Sequence, residues 1–280
     1  MQDAPVVSAE RPDALLIGHY NTMNLCELPG WVIASREFNT HPVPLEILGV
    51  RGSNRALFTR LEATDASADR ARIFHEYLCV KFNLHHWSEY AGKARRSLRN
   101  SYRRFLNGWG MDSNGIEGAV LKSWVCSRFG IPPTYHRGIL HPDTYGLEDE
   151  RYARDRMHGR ARTNAIDAQL DLLYEFCQYE LQRRWPDQST CTLYRGTNDP
   201  QEHLLRQEGT RRRSLVRLNN LVSFTADRER AWEFGSTVWS ACVGTSKIIF
   251  FSSLLGGSLL QGEAEYLVIG GDYDVEELIF

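Results

Sequence analysis

The chain has 280 residues, 42% hydrophobic and 24% charged, the proportions of an ordinary globular protein and enough length to bury a core without disulfide support. A formal net charge of −2 argues against a dedicated nucleic-acid binder. Met1 to Asp13 shows neither a basic n-region nor an apolar h-region. The longest apolar runs, such as Ile248–Phe251, fall far short of the ~20 residues needed to cross a bilayer. The six cysteines form no CxxC and read as buried thiols, so a cytoplasmic protein is expected.

There is no internal repeat and no low-complexity tract. Residues 1–189 read as mainly helical, apart from a weak strand pattern at Pro44–Val50. Ser67 is placed to cap a helix with Phe74, Tyr77, Leu78 and Phe82 on one face. Leu98, Tyr102, Phe105 and Leu106 repeat at helical spacing, as do Val120, Leu121, Trp124 and Val125, the latter helix ending at Gly130 before Pro132 and Pro133. Asn164 is expected to cap the longest helix, with a buried stripe of Ile166, Leu170, Leu173, Tyr174, Cys177 and Leu181.

From about Thr190 the pattern changes to short β-prone runs: Cys191–Tyr194, Leu215–Phe224, Thr237–Val243, Lys247–Phe251, Tyr266–Ile269 and Val275–Phe280. Helical patterns interrupt them near Pro200–Gln207 and Asp227–Phe234. Helices followed by strands predict an α+β fold, a helical portion (1–189) packed on a β-rich core (190–280).

Three signals lie in that C-terminal part, in order. Tyr194-Arg195-Gly196 ends a strand; Ser223-Phe224-Thr225 ends another before the Asp227 helix; Glu263-Ala264-Glu265 enters a third after the loop Ser252–Gly262. Singly, each has an ordinary reading: a surface turn, a helix cap, a solvated strand edge. Their order and context are more specific. They resemble the arginine-serine-glutamate class of mono-ADP-ribosyltransferases, with Arg195, Ser223 with Thr225, and Glu263 with Glu265 as the matching parts. The chain as a whole is similar to the dinitrogenase reductase ADP-ribosyltransferases of nitrogen-fixing bacteria, which inactivate the nitrogenase iron protein by modifying an arginine.

The resemblance implies a split, mainly antiparallel core with NAD as co-substrate, and it implies roles. Breaking the ribose–nicotinamide bond develops positive charge on the sugar, as in glycoside hydrolysis. A carboxylate on the ribose, Glu265, stabilises that charge more in the transition state than in the ground state. Glu263, two along and so on the same face of a strand, would orient an acceptor guanidinium and help remove its proton. Arg195 would hold the pyrophosphate or nearby ribose, with Gly196 allowing close backbone approach. Ser223 would bond around the nicotinamide ribose and orient Glu265, and Thr225 would support the site. Thr225 stands where many relatives have serine, and the Ser252–Gly262 loop lacks the aromatic residue that relatives often use to hold the acceptor. The expected partners are the nitrogenase iron protein as substrate and a PII-type signalling protein as activator. The rival readings are an NAD glycohydrolase and a catalytically silent interaction module.

No metal is expected: His136 and His141 lie on a loop near Cys126 without a CxxC partner, which is thin evidence for a metal, and they read, like His85-His86, as ordinary surface or capping histidines. No GxGxxG or GxSxG is present. The basic stretches Lys93–Arg104, Arg151–Arg162 and Arg211–Arg217 read as solvated faces or as a docking surface for an acidic partner.

Overall fold

The computed structural model describes residues 24–84, 101–141, 146–161, 165–208, 212–256 and 265–279. The architecture is α+β. The helical part comprises α1 (Gly30–Ile33), α2 (Arg36–Thr40), α3 (Val50–Ser53), α4 (Arg55–Glu62), α5 (Ser67–Lys81), α6 (Tyr102–Met111), α7 (Ile116–Phe129), α8 (Leu147–Arg160) and α9 (Ile166–Arg184). Ser35 caps α2, its Oγ accepting the Phe38 N–H. Gly130 ends α7 in the left-handed conformation, φ 71°, where a side chain would be strained. At α5 the cap falls one residue earlier than expected, on Ala66, and Ser67 is the first helical residue. Asn164 and Leu98 lie outside the described residues.

Helix α9 is buried on nearly every side, because it lies between β5 and the helices α3, α5 and α6. Three of its buried groups are carboxylates, and each has an arginine. Asp171 takes Arg128 at 2.7 and 2.9 Å. Glu180 pairs with Arg70 through two hydrogen bonds, 2.5 and 2.9 Å. Glu175 takes Arg51 at 2.5 Å and the Ile47 N–H at 2.7 Å. That last bond explains why Pro44–Val50 is not a strand. Its backbone groups are claimed by α9 side chains, including Tyr174 Oη on the Leu45 carbonyl, rather than by a neighbouring strand.

The sheet is antiparallel, with β1 (Thr190–Thr197), β2 (Leu204–Glu208), β3 (Arg213–Thr225), β4 (Thr237–Gly244), β5 (Ile248–Phe251) and β6 (Glu265–Leu278) in the order β2-β3-β1-β4-β6-β5. Along one edge β6 pairs with β3 for its whole length. Along the other it is shared, its N-terminal half pairing with β5 and its C-terminal half with β4. This sharing is the split. A further bridge, Tyr194 to Thr225, joins β1 to β3.

Two elements differ from the sequence pattern. The run Tyr266–Ile269 and the start of the run Val275–Phe280 belong to one strand, β6, which runs through Gly270-Gly271 and ends at Leu278; Phe280 lies outside the described residues. The partner strand bulges opposite, between Leu218 and Leu221. A Cβ at Gly270 would meet the Asn219 carbonyl oxygen at 1.6 Å, and Gly271 has φ +120°, so the glycines admit the bulge instead of ending the strand. Near Pro200–Gln207 only Pro200–His203 is helical, as one 3₁₀ turn; β2 follows and pairs with β3. Cross-strand pairing overrides local pattern there.

One core joins both parts of the chain: Phe74, Trp124 and Phe176 from helices belong to the same cluster as Ile248, Phe250 and Val268 from the sheet. Among the described residues, no helix is long and apolar enough to cross a membrane.

Candidate functional site

The sheet register gathers the three motifs. Thr225 on β3 faces Tyr194 on β1 and Glu265 on β6, so the first, second and third signals meet at one level of the sheet. Side chains alternate along a strand, which puts Ser223 and Thr225 on the same face of β3. A cavity of about 430 Å³ opens there, lined by Tyr194, Arg195, Gly196, Ser223, Thr225 and Glu265, with Trp109 to Ser113 and Phe234. That volume falls in the range of small-molecule sites.

The polar contacts inside it are few and directed. Ser223 Oγ donates a short hydrogen bond to Glu265 Oε1. Trp109 Nε1 donates to Ser223 Oγ at 2.8 Å. Arg195 Nη1 donates to the Ser223 carbonyl at 2.8 Å. Glu265 is only 4% exposed. Burial lowers the Arg195 pKa from its usual value, while the Glu265 carboxylate acts to raise it. Arg195 Nε is buried and has no hydrogen-bond partner among the described residues. An unsatisfied buried donor costs roughly 1–3 kcal/mol, and an oxygen-rich ligand in the cavity would remove that cost.

The first motif is also shaped by α10 (Arg228–Ala231), which Asp227 caps by accepting from the Glu229 and Arg230 N–H groups. A Cβ at Gly196 would meet the Ala231 carbonyl oxygen at 2.1 Å. Gly196 therefore lines the cavity, and its missing side chain is required by the packing of α10 on β1. Thr225 Oγ1 accepts the Asp227 N–H at 3.1 Å, so it shapes the turn into α10. Glu263 lies outside the described residues, as does the loop from Gly257 onward. The described start of that loop is tied down where the Ser252 N–H donates to the Glu265 carbonyl at 3.0 Å.

Sequence reasoning missed Trp109, the Gly110–Ser113 corner and Phe234. Phe234 lies within a recognised helical pattern. Trp109 sits on α6 in phase with the core stripe of Phe105 and Leu106, so nothing in its spacing marks it as a cavity residue. The set-aside histidine has a structural partner: His136 is fully buried with Nε2 3.1 Å from Asp155 Oδ2. Among the described residues no cluster of three or more His, Cys, Asp or Glu is placed to hold a metal. Members of the basic stretches are ion-paired, Arg104 with Glu117, Arg160 with Asp167 and Arg217 with Asp272. Most of Lys93–Arg104 lies outside the described residues.

A split antiparallel sheet that brings a strand-end arginine, a Ser-x-Thr and a strand-leading glutamate to one cavity defines the class, an NAD-dependent ADP-ribosyltransferase of the arginine-serine-glutamate type. The chain belongs to the dinitrogenase reductase ADP-ribosyltransferase family, which it matches over residues 23–277. It is 44% identical over 268 residues to the NAD(+)--dinitrogen-reductase ADP-D-ribosyltransferase of Rhodospirillum rubrum, covering 93% of this chain and 95% of that relative. No solved structure matches the chain.

Proposed function

We propose that this enzyme transfers ADP-ribose from NAD to an arginine of dinitrogenase reductase, the nitrogenase iron protein, and thereby regulates nitrogen fixation. The observation that carries the reading is the buried Glu265 carboxylate, held by Ser223 at a cavity whose wall includes Arg195. Family membership and the 44% identity to a relative named for that activity support it.

In this reading Glu265 faces the positive charge that develops on the ribose as nicotinamide leaves. The cavity is protein-walled, so the attraction is stronger than in water. Arg195 binds the pyrophosphate or adjacent ribose, and its buried Nε is the donor that a ligand oxygen would satisfy. Gly196 keeps the wall thin beside it, and Thr225 holds the turn that shapes this wall. Glu263 receives the acceptor guanidinium, which is a poor nucleophile while protonated, and takes up its proton. A PII-type signalling protein as activator, and action in the cytoplasm, follow from the family resemblance.

The test incubates the enzyme with labelled NAD and purified dinitrogenase reductase. Label should appear on an arginine of the reductase, and Glu263→Gln should abolish that labelling while NAD cleavage persists. Release of free ADP-ribose with no protein labelled would instead establish an NAD glycohydrolase. Normal labelling by Glu263→Gln would refute the acceptor role. Co-purification with a PII-type protein tests the regulator.

A further inference from the structure

The motif residues account for two of the three atoms in the chain of hydrogen bonds at the cavity. The third comes from the helical part. Trp109 ends the buried stripe of α6, is 5% exposed, and directs its indole Nε1–H onto Ser223 Oγ at 2.8 Å. Indole nitrogen only donates, whereas a serine hydroxyl has a single proton and can also accept. With Trp109 occupying an acceptor position of Ser223, the serine proton is directed to its other neighbour, Glu265 Oε1. The direction of the bond is thus set by a residue more than a hundred positions away in sequence.

The placement of Trp109 is itself built. Helices α6 and α7 approach closely because position 108 is glycine; a Cβ there would meet Glu117 Cγ at 2.4 Å. The Arg104–Glu117 ion pair, 2.8 Å, ties the same two helices. Behind the indole lies Lys122 of α7, buried to 1% exposure, its Nζ 6.0 Å from the ring centroid. Lys122 donates to Asn114 Oδ1 and to the Tyr135 carbonyl, both at 2.9 Å. It thereby anchors the corner whose residues Asp112 and Ser113 line the cavity. A buried ammonium without these partners would be costly, so the corner and the indole are held together.

We infer that Trp109 is a positioning residue for the reaction: its indole N–H orients the Ser223 hydroxyl, which in turn orients the Glu265 carboxylate toward the sugar. This rests on the reading of Glu265 given above, and it adds the helical part as a contributor to the catalytic geometry. A hydroxyl freed from Trp109 would rotate among alternative acceptors, and the carboxylate would lose its fixed partner. The loss would act on the transition state more than on NAD binding, because Trp109 need not touch the leaving bond.

The test replaces Trp109 by phenylalanine and, as an isostere lacking only the N–H, by benzothienylalanine. Cleavage of NAD without any acceptor protein is measured, which keeps the question separate from target identity. Both variants are expected to lower kcat about tenfold, with KM for NAD within about twofold of the parent. In a Ser223→Ala background the Trp109→Phe change should add less than about a twofold further loss, because the two residues act through one chain. A tryptophan that only fills space would give losses that multiply, and normal kcat in the isostere would equally overturn the proposal. An independent readout needs no turnover. The Trp109 indole N–H resonance, assigned by its disappearance in Trp109→Phe, should be slow to exchange with solvent and should shift and exchange faster in Ser223→Ala. An unchanged resonance would sink the inference even if the parent proved inactive, whereas an inactive parent with the shifted resonance would count against the proposed function alone.

Discussion

The helical part and the sheet part of this molecule keep their polar groups for different purposes. In the helices, Arg70 and Glu180 match buried charge to buried charge, with 5% and 1% of their side chains exposed. The remaining donors of Arg70 are spent on the Thr64 and Asp65 carbonyls. At the cavity in the sheet, by contrast, Arg195 donates to one backbone carbonyl and keeps a buried Nε with no hydrogen-bond partner among the described residues. A pair that is fully satisfied has nothing left to offer a ligand. An arginine that is partly satisfied and lines a cavity does, and that combination sets Arg195 apart from Arg70.

Removing a structural partner should cost the most. Arg70→Met leaves Glu180 buried without its cation and should lower stability by about 3–5 kcal/mol, seen as a reduced denaturant midpoint. Folded enzyme, where it persists, should cleave NAD at the parental rate. A marked fall in kcat at full folding would break the distinction between the two parts. At the cavity the order reverses. Glu265→Gln should reduce NAD cleavage by about 10²–10³-fold, or roughly 2.7–4 kcal/mol of transition-state stabilisation, with a thermal midpoint near that of the parent. Retained turnover would remove Glu265 from the chemistry.

A smaller effect is expected for Arg195→Ala, which should weaken NAD binding by more than about 1.5 kcal/mol by calorimetry, since a charge-assisted bond from an enclosed site is lost. Equal affinities would mean that Arg195 belongs with the structural charges after all.

The smallest effect probes the seam between the two parts. Lys247, fully buried beside β5, donates to Asn39 of α2 at 2.9 Å and lies 4.3 Å from the Tyr273 ring centroid. Burial lowers its pKa from 10.5 to about 7, with Asp272 opposing the shift. Between those values the unfolded chain binds the proton more tightly than the folded one, so this group makes stability rise with pH. It weighs against the fold most below pH 7. The stability difference between parent and Lys247→Met should therefore move in favour of the parent by about 1 kcal/mol from pH 7 to pH 8. A pH-independent difference would show that the lysine stays charged in place.

How far the sequence alone reached follows from the range of the interactions involved. Helix α7 was legible down to its end at Gly130, because a C-cap is set by the few residues around it. Helices α5, α6, α7 and α9 and most strands came from periodicity, whereas α1 to α4 and α8 had no pattern singled out. Arg195, Ser223, Thr225 and Glu265 came from the likeness of their ordered motifs to a known family. The tertiary structure decided what those motifs touch. It joined two predicted strands through Gly270-Gly271, because the bulge at Asn219 belongs to another strand. It made residues 44–49 a loop and gave Val50 to α3, because the backbone there is claimed by Glu175 and Tyr174 far along the chain. It also brought Trp109 to Ser223 across 114 positions. Periodicity reports which face of an element is apolar, a local property. Which polar atom meets that face depends on how distant elements pack, and no window of the sequence contains both partners.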